Sequence, residues 1–226
     1  MKRLFTVLLF TAMMMPWVSR GQIMPGYTFR TGVDSTKWIT LDASATELLG
    51  EGQDDEASSV INFGFNFQLG ENSYSQFSVS SNGLLTLGSE VAGYHYSVAK
   101  FNSSSSFPKI LGVGKDIGTG DGGYIKYQVI GQAPARKLVV EYKVGASYHS
   151  YDVADVMWQV QLHEDSNKVV LVYGPTVPSS TPSTYQIGVG VSINDFLLID
   201  PSSHTTTHYT SGSANTTSVW PGINRY

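Results

Sequence analysis

FGFNFQLGENSYSQFSVSSNGLLTLG, running from Phe63 to Gly88, alternates apolar and polar residues almost without a break. A strand with one face on a core and the other in water has this period of two, because successive side chains leave opposite faces of the pleat. Asn82-Gly83 sits where the alternation reverses, and the pair suits a type I′ turn with positive φ at both central residues. The hairpin so formed buries Phe77 and Val79 on one arm and Leu85 and Leu87 on the other. The stretch is scaffold on this reading, and a binding site is sought elsewhere.

The same period extends along the chain. Strands are expected at Tyr27–Arg30, Trp38–Leu41, Val60–Phe67, Gln76–Ser80, Leu84–Gly88 and Gly123–Ile130. Further ones are expected at Lys137–Val144, Val153–His163, Lys168–Tyr173, Tyr185–Val191 and Phe196–Ile199. Val, Tyr, Phe and Thr fill them, and Gly, Asn, Ser and Pro separate them. In VMWQVQLHEDSNKVVLVYG, Val156 to Gly174, the EDSN tetrapeptide turns one strand back on the next and Trp158 is a core aromatic. Helical periodicity is hard to find and no repeat of fixed length is present. The fold class is therefore all-β, an antiparallel β-sandwich of jelly-roll or Ig-like two-sheet type with few or no helices. Residues 22–226 read as one such domain, with the Ser/Thr-rich stretch 200–217 as a loop or edge meander.

Composition excludes several classes of function. The chain has 226 residues, 14% of them charged, and a net charge of −4, so no basic stripe offers itself to nucleic acid. It has no cysteine, which removes disulfides, thiolate metal sites and a cysteine nucleophile. At the N-terminus Lys2-Arg3 precedes the apolar run LFTVLLFTAMMM, Leu4 to Met15, and Ser19-Arg20-Gly21 supplies small residues at a cleavage site. That is the pattern of a secretory signal peptide over residues 1–21. The run is shorter than the roughly 20 residues a bilayer span needs. The protein is expected to be exported, to the extracellular space, the cell surface or the periplasm, with no transmembrane anchor in the mature chain.

The ordered set of segments resembles a secreted β-sandwich module of Bacteroidetes surface proteins, often placed ahead of fibronectin type III repeats and a C-terminal sorting tail. The resemblance rests on YTF at Tyr27–Phe29, INFGFNFQLG, YSQFSVSSNGLLTLG and GGYIKYQVIGQAPARKLVVEYK (Gly122–Lys143). VMWQVQLHEDSNKVVLVYG, YQIGVGV (Tyr185–Val191) and the final WPGINRY complete it. It implies a non-enzymatic module of mostly undefined ligands, and the partner is expected to be an unknown extracellular protein or glycan. The chain departs from the pattern in FPKILGVGKDIGTGDGG, which keeps Pro108 and Asp116 but lacks the flanking aromatic. It also stops at Tyr226, where a stand-alone or truncated form is expected and no sorting tail is carried over.

Candidate chemistry is sparse. His204 and His208 form an HxxxH pair, but in a Ser/Thr-rich stretch without helical signal or a third ligand they read as exposed loop histidines. Asp116 and Asp121, in KDIGTGDGG, are the weak Ca²⁺ candidates; their spacing matches no EF-hand, and a Gly-rich turn is the better reading. Asp54-Asp55-Glu56 reads as a solvated charge run, and Glu164-Asp165 as a solvated hairpin tip. No nucleophile elbow is present, so catalytic residues, metal ligands and cofactors are all expected to be none. A secreted hydrolase using Asp116 or His149 stands as the remote alternative. The sequons at Asn102 and Asn215 matter only in a eukaryotic secretory route. Two similar aromatic clusters remain, GYHYS with Tyr94, His95 and Tyr96, and SYHSYD with Tyr148, His149 and Tyr151. Tyrosine joins a stackable face to a hydroxyl, so these six residues are the candidate ligand-binding set, for a carbohydrate-binding module as the alternative to general adhesion.

Overall fold

A computed structural model describes residues 23–149, 152–175, 177–211 and 216–226. The expected signal peptide, Tyr151 and the Asn215 sequon lie outside the described residues.

Among the described residues, twelve strands form two antiparallel sheets. They are β1 (Thr46–Leu49), β2 (Ile61–Leu69), β3 (Asn72–Val79), β4 (Leu84–Leu87), β5 (Lys109–Gly114) and β6 (Tyr124–Ile130), followed by β7 (Lys137–Val144), β8 (Val156–His163), β9 (Lys168–Tyr173), β10 (Gln186–Ser192), β11 (Asp195–Asp200) and β12 (Thr205–Tyr209). One sheet has the order β1-β6-β7-β8-β9 and the other β12-β11-β10-β5-β4-β3-β2. The helical content described is two short 3-10 turns, at Met24–Gly26 and Ser35–Lys37. The two-sheet sandwich expected from the alternation is what forms.

The core lies between the sheets. Phe63, Phe65, Phe67 and Leu69 of β2 enter it on every second residue, and Phe77, Val79, Leu85 and Leu87 join them as the alternation requires. Trp158 is fully buried and stacks on Tyr142, ring centroids 4.5 Å apart. It fits because Gly112 of β5 lies opposite: a Cβ there would come within 2.2 Å of the indole nitrogen. Two tyrosines of the smaller sheet tie the layers together across the core. Tyr142 donates its hydroxyl proton to the Leu84 carbonyl (3.1 Å) and Tyr173 to that of Gly112 (2.8 Å). Buried hydroxyls need such partners.

The larger sheet is also covered on its outer face, by the long β4–β5 connection. Phe101 of that connection lies over Gly188 and Gly190 of β10, where a Cβ would stand 3.1 and 2.9 Å from its ring. It stacks on Phe196, which stacks on Tyr209, in a ladder across β10, β11 and β12.

Several expectations are corrected. The Asn82-Gly83 turn is not type I′: Gly83 has φ +80 while Asn82 is not among the positive-φ residues. Gly83 N–H bonds to the Ser80 carbonyl and Ser80 N–H to that of Leu84, a three-residue loop ending in a glycine bulge. Trp38–Leu41 is no strand, because its backbone is engaged by side chains instead of a neighbouring ladder. Gln159 Nε2 donates to the Ile39 carbonyl (2.6 Å) and Gln159 Oε1 accepts from Ile39 N–H (3.2 Å). Gln161 Nε2 reaches the Lys37 carbonyl (2.8 Å), and Gln159 also donates to Glu141. Tyr27–Arg30 likewise pairs with no strand, although the Tyr27 hydroxyl oxygen accepts from Gly70 N–H (2.8 Å). The strands β1 and β5 were not expected, whereas β12, at the edge of the larger sheet, gives part of the Ser/Thr-rich stretch the second of its two expected readings.

Glu164 is held by both oxygens to Arg136 (2.6 and 2.8 Å) and is not a solvated tip. That pairing pulls its carboxyl below the ordinary value, the hydrogen bond from Arg136 being the main cause. His208 is not a loop histidine. It lies on β12 with Nε2 2.9 Å from Asp195, whose carboxylate also accepts the backbone N–H groups of Ile23 (2.6 Å) and Met24 (3.1 Å). That cluster clamps the start of the domain onto the β10–β11 hairpin. His204 sits in the turn before β12.

Candidate functional site

The bulged hairpin tip turns the Asn82 side chain inward, where it is fully buried and forms three hydrogen bonds. Its Nδ2 donates to Asp55 Oδ1 (2.7 Å) and to the Tyr94 carbonyl (2.6 Å), and its Oδ1 accepts from Ile117 N–H (2.8 Å). One amide therefore fixes three loops at the same end of the sandwich. A fourth loop joins through the backbone, where Gly118 N–H meets the Ser147 carbonyl (3.0 Å) and Gly145 N–H that of Gly118 (3.0 Å).

The described residues of both aromatic clusters are brought together on this end. Tyr94 (56% exposed), Tyr96 (38%) and Tyr148 (47%) are among the most exposed large apolar side chains described. Each has an imidazole beside it: His95 and Tyr96 have ring centroids 4.5 Å apart, and Tyr148 and His149 4.2 Å apart. The rings are thereby oriented before any partner arrives, and Lys100 Nζ lies 5.1 Å from the Tyr96 ring.

Three carboxylates accompany the tyrosines. Asp54, Asp55 and Asp116 offer oxygens that all lie within 4.8 Å of one another. Asp54 and Glu56 are exposed and Asp55 is half-buried, so the run is solvated while Asp54 and Asp55 stand beside Asp116. Asp121 is not part of the group; its backbone pairs with Asp152 and Ala154, and its side chain is exposed. Burial, then the like charges of Asp55 and Asp116, hold the Asp54 carboxyl above its ordinary value of 3.8. Ca²⁺ takes six or more oxygens, so three carboxylates would need carbonyls or waters to complete its shell. They suit hydroxyl and amide donors.

A raised carboxyl value in the fold means that the native chain holds its proton more tightly than the unfolded chain. Stability is then lost as pH rises through the range above 3.8. Asp54→Asn removes that penalty. We expect a small rise in thermal midpoint at pH 7 that fades towards pH 3, measured by circular dichroism; a lower midpoint at pH 7 contradicts it.

The two residues of the hydrolase alternative, Asp116 and His149, fall in neighbouring loops of this end. The adjacent Ser147 donates its hydroxyl proton to Asp152 Oδ2.

Among the described residues no helix is long and apolar enough to cross a membrane. A family model described as NIDO related matches residues 26–226. No curated protein and no solved structure matches.

Proposed function

The chain belongs to the NIDO-related family, an extracellular type of module, and from that premise we propose that it is an exported, non-catalytic interaction domain that meets its partner through the loop end organised by Asn82. The observation that carries the reading is the gathering of Tyr94, Tyr96 and Tyr148, all exposed, over one buried amide. Monomeric surfaces scatter their exposed aromatics singly, and a set fixed by a shared hydrogen-bonded scaffold is a surface held ready for contact. Placement at a cell surface, ahead of fibronectin type III repeats in a Bacteroidetes protein, belongs to the same proposal and rests on the sequence resemblance.

Carbohydrate is the second reading, and the carboxylates favour it. Tyrosine faces stack on the C–H face of a sugar ring, and Asp54, Asp55 and Asp116 supply acceptors for its hydroxyls. The reading involves no catalytic step and no cofactor.

The test is a glycan array run beside a panel of extracellular matrix and surface proteins, with wild type and the double variant Tyr94→Ala/Tyr148→Ala. Binding weakened about tenfold or more in the variant supports the loop end as the contact face, each lost aromatic anchor being worth about 1–2 kcal/mol. A glycan hit selects the carbohydrate reading, and binding that the variant leaves intact overturns the assignment of the face. Ca²⁺ should leave the thermal midpoint unchanged; a rise with Ca²⁺ would give the carboxylates to the ion.

A further inference from the structure

A second feature lies on another part of the molecule. The larger sheet outreaches the smaller one, so the inner faces of β10 and β11 extend beyond the edge strand β9. The overhang leaves a cleft of about 1070 Å³ under the segment Ile23–Thr31. Its apolar walls are Ile187, Val189, Leu197 and Ile199 on the larger sheet and Leu171 and Tyr173 on β9. A sandwich normally closes such a face with a further strand. Here the N-terminal segment, clamped at Asp195, crosses it and leaves the volume of a small-molecule site, which runs to about 1,000 Å³.

The charge around this cleft is one-sided. Arg30, Lys37, Lys137, Lys168 and Arg225 line it, five of the chain's 14 Lys and Arg, while none of its 18 Asp and Glu does. In an acidic chain that is a concentration of positive potential in a low-dielectric groove. Lys37 has an exposed partner in Asp34 at 3.8 Å, whereas no carboxylate pairs with Arg30, Lys137, Lys168 or Arg225 among the described residues. At the mouth, His163 feels the charges of Lys37, Lys137 and Lys168, with Asp165 acting against them. Burial and those three ammonium groups hold the imidazole at about 4, so it is neutral at ordinary pH. Its Nε2 is buried and has no hydrogen-bond partner, and the same is true of Arg225 Nε. Buried polar atoms are rarely left so.

We propose that the cleft binds a single-chain amphiphile with an anionic head, of the long-chain carboxylic acid class. The alkyl chain lies between β9 and the overhanging β10 and β11, and the carboxylate sits among Lys37, Lys137, Lys168 and His163. Burial of the tail on an existing apolar wall supplies the affinity, and the cationic rim selects the head. A neutral chain of equal length leaves the rim's charges without a counter-ion, and is the weaker ligand. This site is separate from the tyrosine loop end and does not depend on its assignment.

The test uses the exported protein, produced from the full chain and stripped of lipid, titrated with the fluorescent eighteen-carbon acid cis-parinaric acid. We expect saturable binding, displaced by hexadecanoic acid and at least about tenfold less well by hexadecanol. Lys137→Glu/Lys168→Glu should weaken the probe about tenfold or more with the thermal midpoint little changed, both side chains being on the rim. Leu197→Trp, which fills the tail volume, should abolish binding; if it impairs folding, Val189→Phe serves in its place. Tyr94→Ala/Tyr148→Ala should bind the probe like wild type. Absence of saturable binding, equal binding of acid and alcohol, or rim variants within about twofold of wild type overturns the proposal. Displacement by an acidic peptide but not by hexadecanoic acid overturns it in favour of a peptide groove.

Discussion

Asn82→Ala should destabilise the domain by about 3 kcal/mol and detach three loops at once. The substitution leaves the buried N–H of Ile117 without an acceptor and the Tyr94 carbonyl without a donor, and takes a hydrogen bond from Asp55. Each buried group orphaned in this way costs about 1–3 kcal/mol. For a domain of this length the thermal midpoint should fall by roughly 6–12 °C, at about 2–4 °C per kcal/mol. Asn82→Asp separates packing from hydrogen bonding, since it keeps the shape but places a carboxylate against two acceptors. Its folded value is driven up, the native chain then holds the extra proton, and stability is lost as pH rises from about 4 towards 7. Asn82→Asp should therefore be as damaged as Asn82→Ala at pH 7 and should recover towards pH 4. A fall of less than about 2 °C for Asn82→Ala would mean that water takes over the amide's bonds, and that the loop end is not held by this residue.

This residue also marks how far the sequence could be read. The hairpin was legible because core-facing side chains recur at every second residue, Phe63, Phe65, Phe67 and Leu69 on β2 and Phe77 and Val79 on β3, although β4 is buried throughout. The Asn-Gly pair was legible as a turn, but the choice between two turn types depends on the Asn82 side chain finding Asp55, Tyr94 and Ile117. Those partners lie in loops whose arrangement no local pattern encodes. The stretch first read as scaffold therefore does double service, since its tip carries the candidate site.

The misread strands follow the same logic. Alternation reports that one face is covered, not that the backbone is paired, and Ile39 is covered by Gln159 without joining a sheet. The reverse error occurs at β5, which is buried on both faces and reads KILGVG, an apolar run with two glycines and no alternation. Of the six candidate ligand-binding residues, Tyr94, His95, Tyr96, Tyr148 and His149 do fall on one end of the domain, and Tyr151 lies outside the described residues. The carboxylates beside them were hidden because the segment of Asp54 and Asp55 meets that of Asp116 through long-range contacts, Ala57 with Ser80 and Gln53 with Thr119. The cationic cleft was hidden more deeply still. Its five Lys and Arg are spread along the chain from Arg30 to Arg225 and form no run in sequence.

Lys109→Met should cost about as much as the loss of Asn82. Lys109 stands on the outer face of β5 with its side chain fully buried, and the β4–β5 connection wraps around its ammonium. Nζ donates to the carbonyls of Val98 (2.7 Å), Lys100 (2.7 Å) and Ser103 (3.0 Å) and lies 4.7 Å from the Phe107 ring centroid. Methionine matches the volume but brings no donor, so three carbonyls converge on a methyl group. The loss is about 3 kcal/mol, that of breaking one buried charged centre. Hydrogen exchange should quicken over residues 98–106, and the Phe101 ladder should loosen with them.

The pH dependence distinguishes charge from packing. Burial lowers the Lys109 ammonium from 10.5 to about 7. Between those values the unfolded chain holds the proton more tightly than the native chain, so stability rises with pH across that window. Methionine has no such proton, and the stability gap between wild type and Lys109→Met should widen from pH 7 to pH 9 in urea unfolding. The three carbonyls act in the opposite sense, because the ammonium alone supplies three donors. A gap that stays flat over the same interval would show that they restore the lysine to its ordinary range, with Lys109 serving as a permanent internal cation that pins the connection at every physiological pH.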